Sequence, residues 1–208
     1  MSNLLKSRIF EISYKNKISH LSSNISSVDI IDEIFSIKKN EDIFILSNGH
    51  AGLALYVVLE KYYGINAEEL YQKHGVHPHR DVENKIIFSS GSLGCGIAAA
   101  SGFALANKNI DVYVLISDGE AYEGSIWETF NLKQKYKLDN LKVYCNLNGF
   151  SAIEKIDSNH LEKLLTTLDP HINIKRTSNG DLDFLEGIPG HYYVMQSEDY
   201  SKAVQKYA

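Results

Sequence analysis

Three prolines in 208 residues leave little material for rigid linkers, and no repeat or low-complexity tract breaks the chain. Only two cysteines are present, Cys95 and Cys145, both in apolar contexts. That count excludes a disulfide scaffold and points to buried free thiols in a reducing compartment. Positive charge is not in excess: the net charge is -5, with no basic patch to neutralise a phosphate backbone. Nucleic-acid binding is therefore not expected. The nearest thing to a charge run, Lys133-Gln134-Lys135-Tyr136-Lys137, reads as a solvated helix end. No apolar run is long enough to span a bilayer and no signal-like leader is visible, so a cytoplasmic location without membrane attachment is expected.

What is present is a core-forming composition, 44% hydrophobic, enough for a single α/β domain over residues 1–208 with no internal boundary. Helical spacing of Leu4, Leu5, Ile9 and Ile12 predicts a helix over 4–18. Residues 19–26 read as a polar loop, with Ser27 as the N-cap of a helix through Ile37. Ile43–Leu46 reads as a short buried strand, followed by a helix opened by Asn48-Gly49-His50-Ala51-Gly52. A short helix over 66–74 and a polar loop over 76–85 precede a small-residue helix over 97–107. The bare surface of Ala98–Gly102 suits the core or a subunit interface. Val112–Ile116 is predicted as the central strand, Leu141–Cys145 as the next, with helices over 125–136 and 161–168. Residues 172–176 and 191–195 read as late strands. Alternating apolar strands and helices imply a doubly wound, mostly parallel sheet with helices on both faces.

Two of these strands end in oxygen-bearing side chains. Asp118-Gly119 follows the first, and Asn148-Gly149 closes the second. In isolation each pair reads equally as a turn. Together, a carboxylate and an amide oxygen at neighbouring strand ends suit a hard divalent cation that holds a diphosphate.

Five stretches in order resemble the amino-terminal, thiamine-diphosphate-binding domain of transketolases. They are Ser19-His20-Leu21 with Ser26, Leu46-Ser47-Asn48-Gly49-His50-Ala51, His77-Pro78, Gly91-Ser92-Leu93-Gly94-Cys95-Gly96, and Asp118-Gly119 through Asn148 with Glu123-Gly124 and Trp127-Glu128 in register. The resemblance covers roughly residues 5–195 and implies thiamine diphosphate and Mg2+ as cofactors, with Ca2+ or Mn2+ able to substitute. It assigns Asp118, the side-chain oxygen of Asn148 and the backbone carbonyl of Phe150 to the metal. Gly91, Ser92, Leu93, Gly94, Asp118, Gly119, Glu123 and Asn148 fall at cofactor positions, with Glu123 at the glutamate that links the two cofactor sites of the dimer. A helix amino terminus after Gly91–Gly96 would offer free N–H groups to an anion. His20, His50 and His77 fall on positions that line the substrate channel and move protons. His160, His171 and His191 read as structural, and Arg80 as an exposed side chain.

The chain departs from the family pattern at Ser117, which stands for a glycine, and at Asn146, which stands for a common aspartate. Asn179-Gly180-Asp181 occupies the place of the family's Asp-Gly-His loop without the histidine. The family's pyrimidine-binding and carboxy-terminal domains have no room here. The resemblance thus implies a split enzyme that transfers a two-carbon ketol unit from a ketose to an aldose, on sugar or sugar-phosphate substrates. The second subunit would carry the pyrimidine domain, with two copies of each chain. Another thiamine-dependent carboligase or decarboxylase component, and a non-catalytic scaffold that kept the fold, are the alternatives.

Overall fold

Every residue of Val112–Ser117 (β2) is buried, because the strand is covered on both faces and paired on both edges. The computed structural model describes residues 2–178 and 182–207. β2 pairs in parallel with Ile43–Leu46 (β1) on one side and Leu141–Leu147 (β3) on the other, and β3 pairs in parallel with Asn173–Arg176 (β4). The sheet order is β1-β2-β3-β4. Period-two alternation splits the strands cleanly between two layers. Phe44, Leu46, Tyr113, Leu115 and Tyr144 face one apolar cluster, while Ile45, Val112, Val114, Ile116, Val143, Cys145 and Leu147 face the other. Burying each large aliphatic side chain here contributes about 1.5–3 kcal/mol.

Both faces carry helices, as expected for this class. Helices Ser2–Asn16 (α1), Leu21–Ile37 (α2), Gly52–Tyr63 (α3) and Ala67–His74 (α4) supply the first layer. Cys95–Ala106 (α5), Gly124–Tyr136 (α6) and Ser158–Leu168 (α7) supply the second. The four strands run in sequence order, so the first layer arises from segments before β1 and just after it rather than from a reversal of strand order. The chain then returns through Pro189–Tyr192 (α8) to Ser197–Tyr207 (α9), which docks on α1 through the stacked pairs Tyr14–Tyr200 and Phe10–Tyr207.

Three expectations are corrected. Residues 21–26 are the first turns of α2, not a loop. Their polarity misleads because these polar groups are buried against partners: Asn146 Nδ2 donates to Ser26 Oγ at 2.9 Å and to Ser27 Oγ at 3.0 Å. Residues 191–195 form no strand. Pro189 opens a short helix, and Tyr193 and Gln196 then tie to Asp199 in the first turn of α9. Cys95 is exposed at the start of α5, whereas Cys145 is buried as expected.

Asn24 joins the two helices that carry the site. Its Oδ1 accepts from the Ala54 N–H of α3 at 2.8 Å, and its Nδ2 donates to the His20 carbonyl at 2.8 Å. Replacement by alanine strands the buried Ala54 donor. Asn24→Ala is expected to lower stability by about 1–3 kcal/mol, read as a lower urea midpoint at unchanged slope; an unaltered midpoint would contradict this role.

Candidate functional site

Parallel pairing sends β1, β2 and β3 out at one edge of the sheet, and a cleft of about 520 Å³ opens there. Its walls include His20, Ser22 and Ser23 of the α2 start, His50 after β1, His77, Gly91, Leu93, Ser117, Asp118, Gly119, Tyr122, Glu123, Asn148, Phe150 and His191. Of the residues singled out by sequence, only Ser92 and Gly94 lie off this wall. Ser92 is exposed, and Gly94 is buried beneath the loop.

Asp118 joins the ends of two strands. Its Oδ1 accepts from Gly119 N–H at 3.0 Å and its Oδ2 from Gly149 N–H at 2.6 Å, while Asn148 Oδ1 accepts from Phe150 N–H at 2.9 Å. Burial pushes the Asp118 carboxyl up to about 6, against the backbone N–H bonds that favour its charged form. No lysine or arginine is among the cleft-lining residues. A buried carboxylate lacking a cationic partner, beside an amide oxygen and a backbone carbonyl, fits a hard divalent cation. Among the described residues, no group of three or more acidic, histidine or cysteine side chains gathers into a metal centre. Any cation here would therefore be shared with oxygens of the ligand it bridges.

The opposite wall is imidazole-rich. His20 and His191 rings lie 4.6 Å apart, His50 and His191 5.6 Å, and His20 and His50 6.1 Å. His191, read from sequence as structural, belongs to this cluster. His20 occupies the left-handed region at φ 61°, which costs about 1–2 kcal/mol for an ordinary residue. Its N–H donates to the His191 carbonyl at 2.9 Å, and its carbonyl accepts from Asn24. Those bonds hold the strained turn that aims its ring into the cleft. His77 is exposed at the rim and packs against Gly91.

The glycine loop behaves differently from expectation. A Cβ on Gly49 would lie 2.6 Å from the Gly91 nitrogen, so the loop lies directly on the turn after β1. At the start of α5, however, the N–H groups of Gly94, Cys95 and Ile97 are taken by Glu120 Oε1, the Ser92 carbonyl and Ser47 Oγ. They are not free for an anion. Glu120, which sequence reading passed over, is fully buried; burial pushes it up to about 7. Ser117 accepts the Glu120 N–H at 3.2 Å rather than donating into the cleft from its own hydroxyl. The Asn179-Gly180-Asp181 segment lies outside the described residues.

Comparison with known proteins now bears on this geometry. The sequence profile of the transketolase thiamine diphosphate binding domain matches residues 35–167. The chain belongs to that family. One of the two chains of an apulose-4-phosphate transketolase from Phocaeicola vulgatus is 28% identical, covering 97% of this chain and 90% of its own length. The protein of the same name from Actinobacillus succinogenes is 27% identical over 90% of this chain and 87% of its length. The first of these matches spans 256 positions against the 208 residues here, so that relative carries several dozen positions with no counterpart in this chain. Human transketolase is 37% identical over 58% of this chain, which corresponds to 21% of the human protein. Transketolase from Leishmania mexicana shares the fold with a TM-score of 0.72 at 19% identity, and this chain spans 40% of it. Membership makes this a thiamine diphosphate binding domain. Among the described residues no helix is long and apolar enough to cross a membrane.

Burial also sets the charge of the imidazoles. It lowers His20 to about 4 and His50 to about 3, with neighbouring His191 adding to the effect in both, and burial lowers His191 as well. Protonation therefore opposes folding. The contribution of the neutral rings is intact above the ordinary value near 6.5 and is lost as pH falls from there toward about 3–4. In a ligand-free sample, the ring resonances of His20 and His50 should stay neutral from about pH 8 down to about pH 5. A midpoint near 6.5 for either ring in an NMR titration would contradict this burial.

Proposed function

We propose that this chain is the diphosphate-binding subunit of a two-chain transketolase that moves a two-carbon ketol unit from a ketose to an aldose. The observation that carries the reading is convergence: Asp118 and Asn148 face His20, His50 and His191 across one cleft at the ends of three parallel strands. Two relatives matched over most of their length are named as single subunits of a transketolase, which supports a second subunit. Exposed Tyr122 (62%) and Ile153 (82%) at the mouth of the cleft also favour coverage by another chain. We assign to that chain the pyrimidine-binding domain, in an assembly of two copies of each. Residues 1–208 then act as one domain. Free Cys95 and Cys145 suit a cytoplasmic setting.

Bound thiamine diphosphate supplies the electron sink for cleavage of the ketose C2–C3 bond. In this assignment Asp118, Asn148 and the Phe150 carbonyl hold Mg2+. Gly119 lets the backbone pass close beside the diphosphate, flanked by Gly91 and Leu93. Glu123 sits exposed at the edge of the cleft, where it can meet the second chain. His20, His50 and His77, joined by His191, orient the substrate hydroxyls and hand protons to and from them. Neutral rings can accept a hydroxyl proton, and an anionic ligand raises their affinity for it. The relatives' names make a branched ketose phosphate a candidate donor for this chain.

The purified chain alone should show no ketol transfer, and addition of the subunit carrying the pyrimidine domain should restore it. Turnover by this chain alone would refute the split assignment. In the reconstituted enzyme, His50→Ala is expected to lower turnover by about 10²–10⁴-fold. Asp118→Asn should abolish Mg2+-dependent binding of thiamine diphosphate, measured by calorimetry; binding that persists would remove Asp118 from the metal site.

A further inference from the structure

Glu120 takes no part in the roles above, yet its side chain sits where three wall-forming segments meet. It is fully buried in the turn after β2. Its Oε1 accepts from Gly94 N–H at 2.6 Å and from Ser47 Oγ–H at 2.5 Å. Ser47 Oγ in turn accepts from Ile97 N–H at 3.0 Å. One carboxylate oxygen thus links the turn after β2 to the end of β1 and to the loop that enters α5. Its second oxygen, Oε2, has no hydrogen-bond partner among the described residues. A buried unpaired polar atom is costly, and native folds keep one where it serves a purpose.

The glycine loop needs such an anchor. It turns on left-handed residues, Gly91 at φ 142° and Gly94 at φ 80°. A Cβ on Gly94 would collide with Ser125 Oγ, so the loop lies flush on the start of α6 and cannot grip it with a side chain of its own there. The hold comes from beneath, through Glu120. On its upper side the same loop presents Gly91 and Leu93 to the cleft, opposite Asp118 and Gly119.

We propose that Glu120 is a positioning residue: it fixes the Gly91–Gly94 loop at the distance from Asp118 at which the cleft accepts a diphosphate. This inference rests on the assignment of the cleft to thiamine diphosphate. Two readouts test it. Hydrogen exchange of residues 91–97 in the full chain reports the anchor without any ligand. Calorimetric affinity for thiamine diphosphate with Mg2+, in the presence of the partner subunit, reports its consequence. Glu120→Ala is expected to speed exchange in 91–97 and to weaken affinity, each by about tenfold, with β2 and β3 exchange unchanged. Glu120→Gln keeps an acceptor for Gly94 and should recover most of both. If Glu120→Ala does not fold, Ser47→Ala, which removes one donor to Oε1 and the acceptor of Ile97, should shift both readouts in the same direction. Unchanged exchange would overturn the anchor, and faster exchange with unchanged affinity would reduce Glu120 to a structural role. Failure of the unaltered chain to bind thiamine diphosphate with its partner would instead overturn the reading of the cleft, and is seen before any variant is made.

Discussion

The Asp118 carboxylate is the constraint on which the rest of the site depends. It leaves the end of β2 and accepts the Gly149 N–H beyond the end of β3, so two loops that carry different functional groups are tied by one side chain. Backbone donors on both its oxygens favour the ionised form, while burial opposes it. These effects leave a carboxyl poised to gain from a cation. A purely structural link between loops would be cheaper with a neutral acceptor. The choice of a carboxylate, turned toward a cleft without lysine or arginine, makes sense as the protein's half of a metal–anion site.

That carboxylate can act only because the parallel sheet brings its strands out at one edge. Register pairs Ser117 with Asn146, so Asp118 and Asn148 leave adjacent strands nearly level. The same register places Asn146 under α2, where its amide donates to two serine hydroxyls and its oxygen accepts from Thr177 at 2.5 Å. An aspartate there would need the serines to donate instead. The departure at position 146 is thereby explained: it serves the packing of α2, whose first turn carries Ser22 and Ser23 to the cleft.

Much of this was legible in the sequence because its signals are local. Strand–Asp-Gly and strand–Asn-Gly boundaries follow from apolar runs that stop at turn residues, and the core elements from α3 to β3 fall within a few residues of where periodicity puts them. What was missed has a shared physical cause. The α2 start, Glu120 and His191 are polar groups whose burial is decided by partners distant in sequence, and polarity by itself reads as loop or surface. Residues 191–195 are aromatic and β-branched enough to suggest a strand, but no sheet edge is there to receive them. The α5 amino terminus looked free because its acceptors, Ser47 and Glu120, come from other elements.

His191 shows how a site can be completed from the far end of a chain. It sits on a four-residue helix with little stability of its own. Its place is set by what flanks it: the docking of α9 on α1 through paired aromatic rings, and the bond from His20 N–H to its own carbonyl. The strained His20 turn and the return of the carboxy-terminal segment therefore depend on each other. Neither histidine is held in place by its own secondary structure, and each supplies the contact that fixes the other. This mutual dependence accounts for a third imidazole in the cleft of a chain that lacks several dozen positions present in a relative. Loosening α9 should consequently disturb the cleft before it disturbs the sheet, because the sheet is stabilised by its own two apolar layers and the His20–His191 contact is not.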